Sequence, residues 1–142
     1  HQTKEDNIST LQNFYLSNNL ENNIFSYDRN LSTIMMQADL CITRAGASSL
    51  AELSVLSIPF IAVPLPSARD DHQSANANFY KDKDCCWILE QSVFEEKIEE
   101  FLKNILKDKR DYLKKKESLK KLNYDNSWIN VNQKILLSID EN

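Results

Sequence analysis

Apolar positions recur at two spacings along the chain, and stretches of each kind alternate. In "NISTLQNFYLSNN" (7–19) they fall at 8, 11, 14 and 15, the spacing of one helix face. "NNIFSY" (22–27) is a short β-like run. "NLSTIMMQA" (30–38) opens on an asparagine suited to cap a short helix. "DLCIT" (39–43) reads as a buried strand. "ASSLAELSVLS" (47–57) returns to helical spacing, with Leu50, Leu53 and Leu56 on the inner face. "PFIAVPL" (59–65) is a strand bounded by prolines. A polar loop, "PSARDD", then leads to a helix expected from about Asp71 to Lys81, and "CCWILE" (85–90) is a further strand. From Ser92 on the spacing is helical, in "SVFEEKIEEFLKNILKD", "KRDYLKKKESLKKLN" and "NSWINVNQKILLSI".

Four short, mostly apolar strands separated by helices predict an α/β fold, a parallel Rossmann-like sheet with helices on both faces. At 142 residues the chain fits one ordinary domain, large enough to bury a real core. The expected organisation is a core over 1–107 followed by C-terminal helices over 108–142. No internal repeat or low-complexity linker interrupts it.

Composition adds limits. No apolar run approaches the ~18 residues of a membrane span, and no signal segment is visible, so a soluble cytoplasmic domain is the expectation. The first residue is His1 rather than Met, which suggests a fragment or a cleaved product. The three cysteines (Cys41, Cys85 and Cys86) form no C-x-x-C and read as structural. Residues 1–100 hold 7 Lys/Arg against 15 Asp/Glu, and residues 101–142 hold 10 against 6. The basic part centres on 107–121. It reads as a solvated helix face, with attraction to anionic lipid as the alternative. Net negative charge and the lack of interleaved aromatics speak against a nucleic-acid partner.

In sheets of this kind ligands bind beyond the C-terminal strand ends. Two junctions there are polar: "RAGASS" (44–49) and "SARDDHQSANA" (67–77). The first contains Gly46, the single glycine of a chain where about ten would be usual. A glycine before a helix permits positive φ and close backbone approach, and the helix start offers unpaired N–H groups to a phosphate. Glu52 shares a helix face with Ser48 and Ser49 and could accept both hydroxyls of a ribose. The same residues have a second reading, since Ser49-x-x-Glu52 is a capping box that needs no ligand.

In the second junction Asp70 or Asp71 is a natural N-cap. His72, Gln73 and Asn76 then present an imidazole and two amides near the helix start, groups able to donate and accept toward sugar hydroxyls. The alternative is a polar, solvated first turn. "DKD" (82–84) precedes a strand and reads as a loop rather than a metal motif. No Ser-His-Asp arrangement, H-E-x-x-H or Cys/His cluster is present, so no catalytic residue or metal ligand is assigned.

The stretch "ADLCITRAGASSLAELSVLSIPFIAVPLPSARDDHQSANA" (38–77) closely resembles the C-terminal domain of the MurG family of bacterial N-acetylglucosaminyltransferases. The likeness runs from "HQT" to about Ile139. It implies the second half of a two-domain GT-B architecture, here N-terminally incomplete. It further implies an inverting transfer from UDP-N-acetylglucosamine to undecaprenyl-diphosphate-linked muramyl-pentapeptide, converting lipid I to lipid II at the cytoplasmic face of the inner membrane. No metal or cofactor is implied. By the resemblance, Gly46 and Ala47, with Ser48 beside them, face the diphosphate. Glu52 binds the ribose. His72, Gln73 and Asn76 bind the diphosphate or the sugar hydroxyls, and Arg44 is a structural or phosphate-side residue. Asp28 and Leu31 fall at the uracil pocket, where the family usually has an apolar residue in place of Asp28.

The family's "GGS.GA" loop and its acceptor domain, expected to supply the catalytic base, have no counterpart in this sequence. The expectation is therefore a donor-binding part that is inactive alone and marginally stable. Two alternatives remain: the donor-binding subunit of a split lipid-linked N-acetylglucosamine transferase, and a non-catalytic nucleotide-sugar-binding module.

Overall fold

The computed structural model describes residues 1–125, 127 and 129–133. The helix expected over "NSWINVNQKILLSI" falls largely outside these residues, with 129–133 helical. The elements are α1 (Ile8–Ser17), α2 (Leu31–Met35), β1 (Cys41–Arg44), α3 (Ala47–Val55), β2 (Phe60–Val63), α4 (His72–Lys81), β3 (Cys86–Ile88), α5 (Phe94–Lys107) and α6 (Lys109–Asp125). The chain divides into two compact units, 1–34 and 35–142.

In the first unit, a 3-10 turn (Glu5–Asn7) leads into α1. The segment 22–27, expected as a strand, makes one isolated parallel bridge between Gln2 and Phe25. Its supports are Thr3 N–H donating to the Phe25 carbonyl at 2.9 Å and Phe25 N–H donating to the His1 carbonyl at 3.2 Å. β-like composition is not enough to make a strand, because a strand needs a ladder of partners and this run meets one. Asp28 Oδ1 accepts from Asn30 N–H at 2.7 Å, a turn that leads directly into α2. This local bond gives the departure at Asp28 a structural reason.

In the second unit, three strands pair in parallel in the order β1-β2-β3, with Phe60 opposite both Cys41 and Cys86. The central strand β2 is buried at all four positions, as its uninterrupted apolar run requires. Its side chains alternate between two cores. Phe60 and Ala62 join Leu50, Leu53, Ala77 and Leu119 from α3, α4 and α6. Ile61 and Val63 join Ile105, with Ile98 and Phe101, from α5. Helices therefore cover both faces of the sheet, as predicted. No helix among the described residues is long and apolar enough to cross a membrane.

The three cysteines are free thiols, and burial raises the pKa of each. Cys85 is pushed to about 11 and Cys86 to about 12, so both stay protonated at neutral pH, as inert core residues do.

The basic stretch is only partly the solvated face that its sequence suggested. Lys115 is buried, and its Nζ lies 2.8 Å from Asp84 Oδ1 and 3.2 Å from Asp111 Oδ1. Lys114 reaches Asp84 Oδ2 at 2.6 Å, and Trp87 Nε1 donates to Asp111 Oδ2 at 2.7 Å. The bonds to Asp84 pin α6 to the loop before β3, and the Trp87 bond pins it to β3 itself. Burial opposes the Lys115 charge, but the bonds to Asp84 and Asp111 outweigh it and its pKa is raised. Hydrogen bonds from Lys114 and then Lys115 hold the Asp84 carboxyl below its ordinary range. A depressed carboxylate contributes its stability above its unfolded pKa of about 4 and loses it as pH falls through the folded value. Asp84→Asn is therefore expected to cost about 1 kcal/mol at neutral pH and to reduce the loss of stability below about pH 4. Denaturant unfolding of both forms at pH 7 and pH 3 measures this. Asparagine tolerates the left-handed backbone of this position, φ 56°.

Candidate functional site

The C-terminal edge of a parallel sheet gathers its βα junctions, and here three meet: 44–46 after β1, 64–71 after β2, and 89–93 after β3. The first runs directly into the start of α3. Gly46 is the N-cap residue of that helix, with φ −68° and ψ 136°, and no side chain caps the helix start. Two sequence expectations are corrected by this. Gly46 is not kept for a left-handed turn, because its backbone is extended. The left-handed positions fall instead on Asn19, Ser57, Asp70, Asp71 and Asp84. Ser49-x-x-Glu52 is not a capping box either. Helix α3 begins at Ala47, so Ser49 already lies inside the first turn.

What remains is an uncapped helix start with Ala47, Ser48 and Ser49 exposed and Glu52 exposed one turn further on. A Cβ at Gly46 would meet nothing nearer than Ser49 Oγ at 3.9 Å, an ordinary contact. The protein itself has room for a side chain at this position. The orphan N–H groups and the positive end of the helix favour an anion there.

The second junction is shaped by two consecutive left-handed residues, Asp70 (φ 52°) and Asp71 (φ 51°), in the 3-10 turn Arg69–Asp71. Aspartate is among the residues that adopt this conformation most readily. Asp71 occupies the N-cap position of α4, as expected, but makes no side-chain cap bond. Asn76 Nδ2 donates to the Ala45 carbonyl at 3.0 Å, and Gln73 Oε1 accepts from Leu65 N–H at 3.0 Å. One end of each amide thus fixes loop backbone, and Asn76 ties α4 to the β1–α3 junction. His72 is exposed at the first helical position.

Arg44, at the end of β1, extends across the sheet edge. Its Nη1 donates to the Val63 carbonyl at 3.5 Å and to Gln91 Oε1 at 2.6 Å. Gln91 was missed by sequence reasoning. The signal available was its place just beyond β3, at the third junction of the same edge. The structure thus brings Arg44, Gly46, Ala47, Ser48, Glu52, Gln73 and Asn76 onto the two junctions tied by Asn76, with His72 beside Gln73. Leu31, half-buried at the start of α2, belongs with Asp28 to the other unit. Among the described residues no group of three or more His, Cys, Asp or Glu is placed to hold a metal ion.

Residues 1–127 match the glycosyltransferase family 28 C-terminal domain. Curated relatives include UDP-N-acetylglucosamine--N-acetylmuramyl-(pentapeptide) pyrophosphoryl-undecaprenol N-acetylglucosamine transferases. That of Pelagibacter ubique is 42% identical over 142 residues, which is 99% of this chain and 40% of the relative. That of Campylobacter jejuni is 39% identical over 107 residues, 75% of this chain and 31% of the relative. The crystal structure of Acinetobacter baumannii MurG superposes with a TM-score of 0.70 at 29% identity, over 84% of this chain and 34% of that one. The chain therefore spans well under half the length of these relatives.

Proposed function

This chain belongs to the glycosyltransferase family 28 C-terminal domains, and from that membership we propose that it is the donor-binding part of an inverting N-acetylglucosaminyltransferase. The whole enzyme takes UDP-N-acetylglucosamine as donor and an undecaprenyl-diphosphate-linked muramyl-pentapeptide as acceptor, converting lipid I to lipid II. It works as a peripheral protein at the cytoplasmic face of the inner membrane, with acceptor binding and the catalytic base supplied outside this chain.

The observation that supports the reading most is the uncapped start of α3, at the C-terminal sheet edge, with Glu52 one turn in. The helix N-terminus receives the diphosphate through the Ala47 and Ser48 N–H groups. As the glycosidic bond breaks, charge builds on the departing UDP, and the oriented N–H groups stabilise it without a metal. The Glu52 carboxylate accepts from the ribose hydroxyls. The strand-end loops, fixed by Gln73 and Asn76, carry the remaining amide groups and His72 toward the sugar. Transfer of labelled N-acetylglucosamine from UDP to the lipid-linked acceptor by the intact protein tests this reading. Absence of transfer under conditions that support a relative's activity would sink it.

Gly46 gives a more local test. Valine adopts the φ/ψ seen there, and the space is available, so Gly46→Val is expected to cost the fold about 1 kcal/mol through the weaker cap. Its side chain would stand where the anion approaches, with up to ~2 kcal/mol of binding lost. UDP calorimetry and thermal melting separate the two effects. Unchanged affinity with a lowered Tm would leave the glycine as a helix-capping residue only.

A further inference from the structure

The bonds that fix the three junctions share one property. Asn76 to Ala45, Gln73 to Leu65 and Gln91 to Arg44 all run through neutral amides. The last holds a cation. Arg44 is anchored by the Val63 carbonyl and by Gln91 Oε1, both uncharged acceptors. Neither of these partners is a carboxylate. A glutamate at position 91 would hold the guanidinium more strongly, because a charge-assisted bond is about twice as strong as a neutral one. It would also cancel the charge. A glutamine fixes the arginine and leaves the charge uncompensated.

We propose that Gln91 is a positioning residue, holding the Arg44 guanidinium as an uncancelled cation at the C-terminal sheet edge for a diphosphate group. Arg44 and the positive end of α3 then act on the same anion from one continuous stretch of chain, 44–49. The inference rests on the donor-site reading above. The diphosphate belongs either to the nucleotide donor or to the lipid-linked acceptor, and the chemistry recognised is the same.

The test compares Gln91→Glu and Gln91→Ala with wild type in the intact protein, by UDP calorimetry, acceptor KM and thermal melting. Gln91→Glu is expected to keep or raise Tm and to weaken diphosphate binding about tenfold or more. Gln91→Ala, which loosens Arg44 without cancelling it, is expected to weaken binding less. A merely structural glutamine predicts the reverse order, with alanine the more harmful. A fall in UDP affinity assigns the cation to the donor diphosphate. A raised acceptor KM with unchanged UDP affinity assigns it to the acceptor. If Gln91→Glu changes neither, the proposal is overturned while the donor site stands. Wild-type protein that binds no UDP overturns both.

Discussion

Phe60→Ala is expected to lower the unfolding free energy by about 3–5 kcal/mol, measured by denaturant titration of the intact protein. Phe60 is fully buried in the middle strand of the sheet. It packs in the core built by α3, α4 and α6, and its ring meets Tyr80 edge-on with centroids 5.5 Å apart. Removing the ring leaves a cavity between a strand paired on both sides and three helices, where neighbours have little freedom to collapse inward. Domains are typically stable by only 5–15 kcal/mol, so a loss of this size is a large share of the total. Phe60→Leu, which refills most of the volume, should recover much of it. A loss below 1 kcal/mol for the alanine variant would mean that this core is not as tightly packed as described.

Glu52→Ala is expected to weaken UDP binding by ~1.5–3 kcal/mol, about 10- to 150-fold, while leaving stability nearly unchanged. The separation follows from the geometry. Glu52 is exposed, lies on α3 one turn past its start, and its side chain takes no part in capping the helix. Among the described residues it forms no ion pair. Its removal therefore costs the fold little. A carboxylate that accepts from two ribose hydroxyls, in contrast, makes bonds that no neighbouring group replaces. Glu52→Gln, which keeps the shape and one acceptor, should fall between the two.

Much of this fold is written in local pattern. "PFIAVPL" announces a central strand because its apolar run is continuous and its prolines stop it at both ends. β2 lies within that run and is buried throughout. Leu50 and Leu53 mark the inner face of α3 in the same way. The first glycine-bearing junction was legible too, since a strand pattern meets a helix pattern at Gly46. The helix start at Ala47 was legible as well; what misled was the capping-box pattern inside it. Ser49 looks like a cap, but Ala47 and Ser48 are already helical, and a three-residue offset between Ser49 and the actual N-cap Gly46 decides whether Glu52 serves the helix or a ligand.

Tertiary effects were hidden. In "KDKRDYLKKKESLKK" nothing local distinguishes Lys115 from its neighbours, yet Asp84 and Asp111 come to it from a loop and from one turn before it. The run 22–27 has strand composition, but composition does not supply a ladder. Gln91 lies 47 residues from the arginine it holds, and no spacing rule reaches that far.

The most direct test of the donor-site assignment is calorimetric titration of the intact protein with UDP, wild type beside Glu52→Ala. The expected result is saturable binding by wild type, weakened at least tenfold in the variant, with equal melting temperatures. Wild-type protein that binds no UDP, or a variant that binds it equally well, would contradict the assignment of the β1–α3 junction as the nucleotide site.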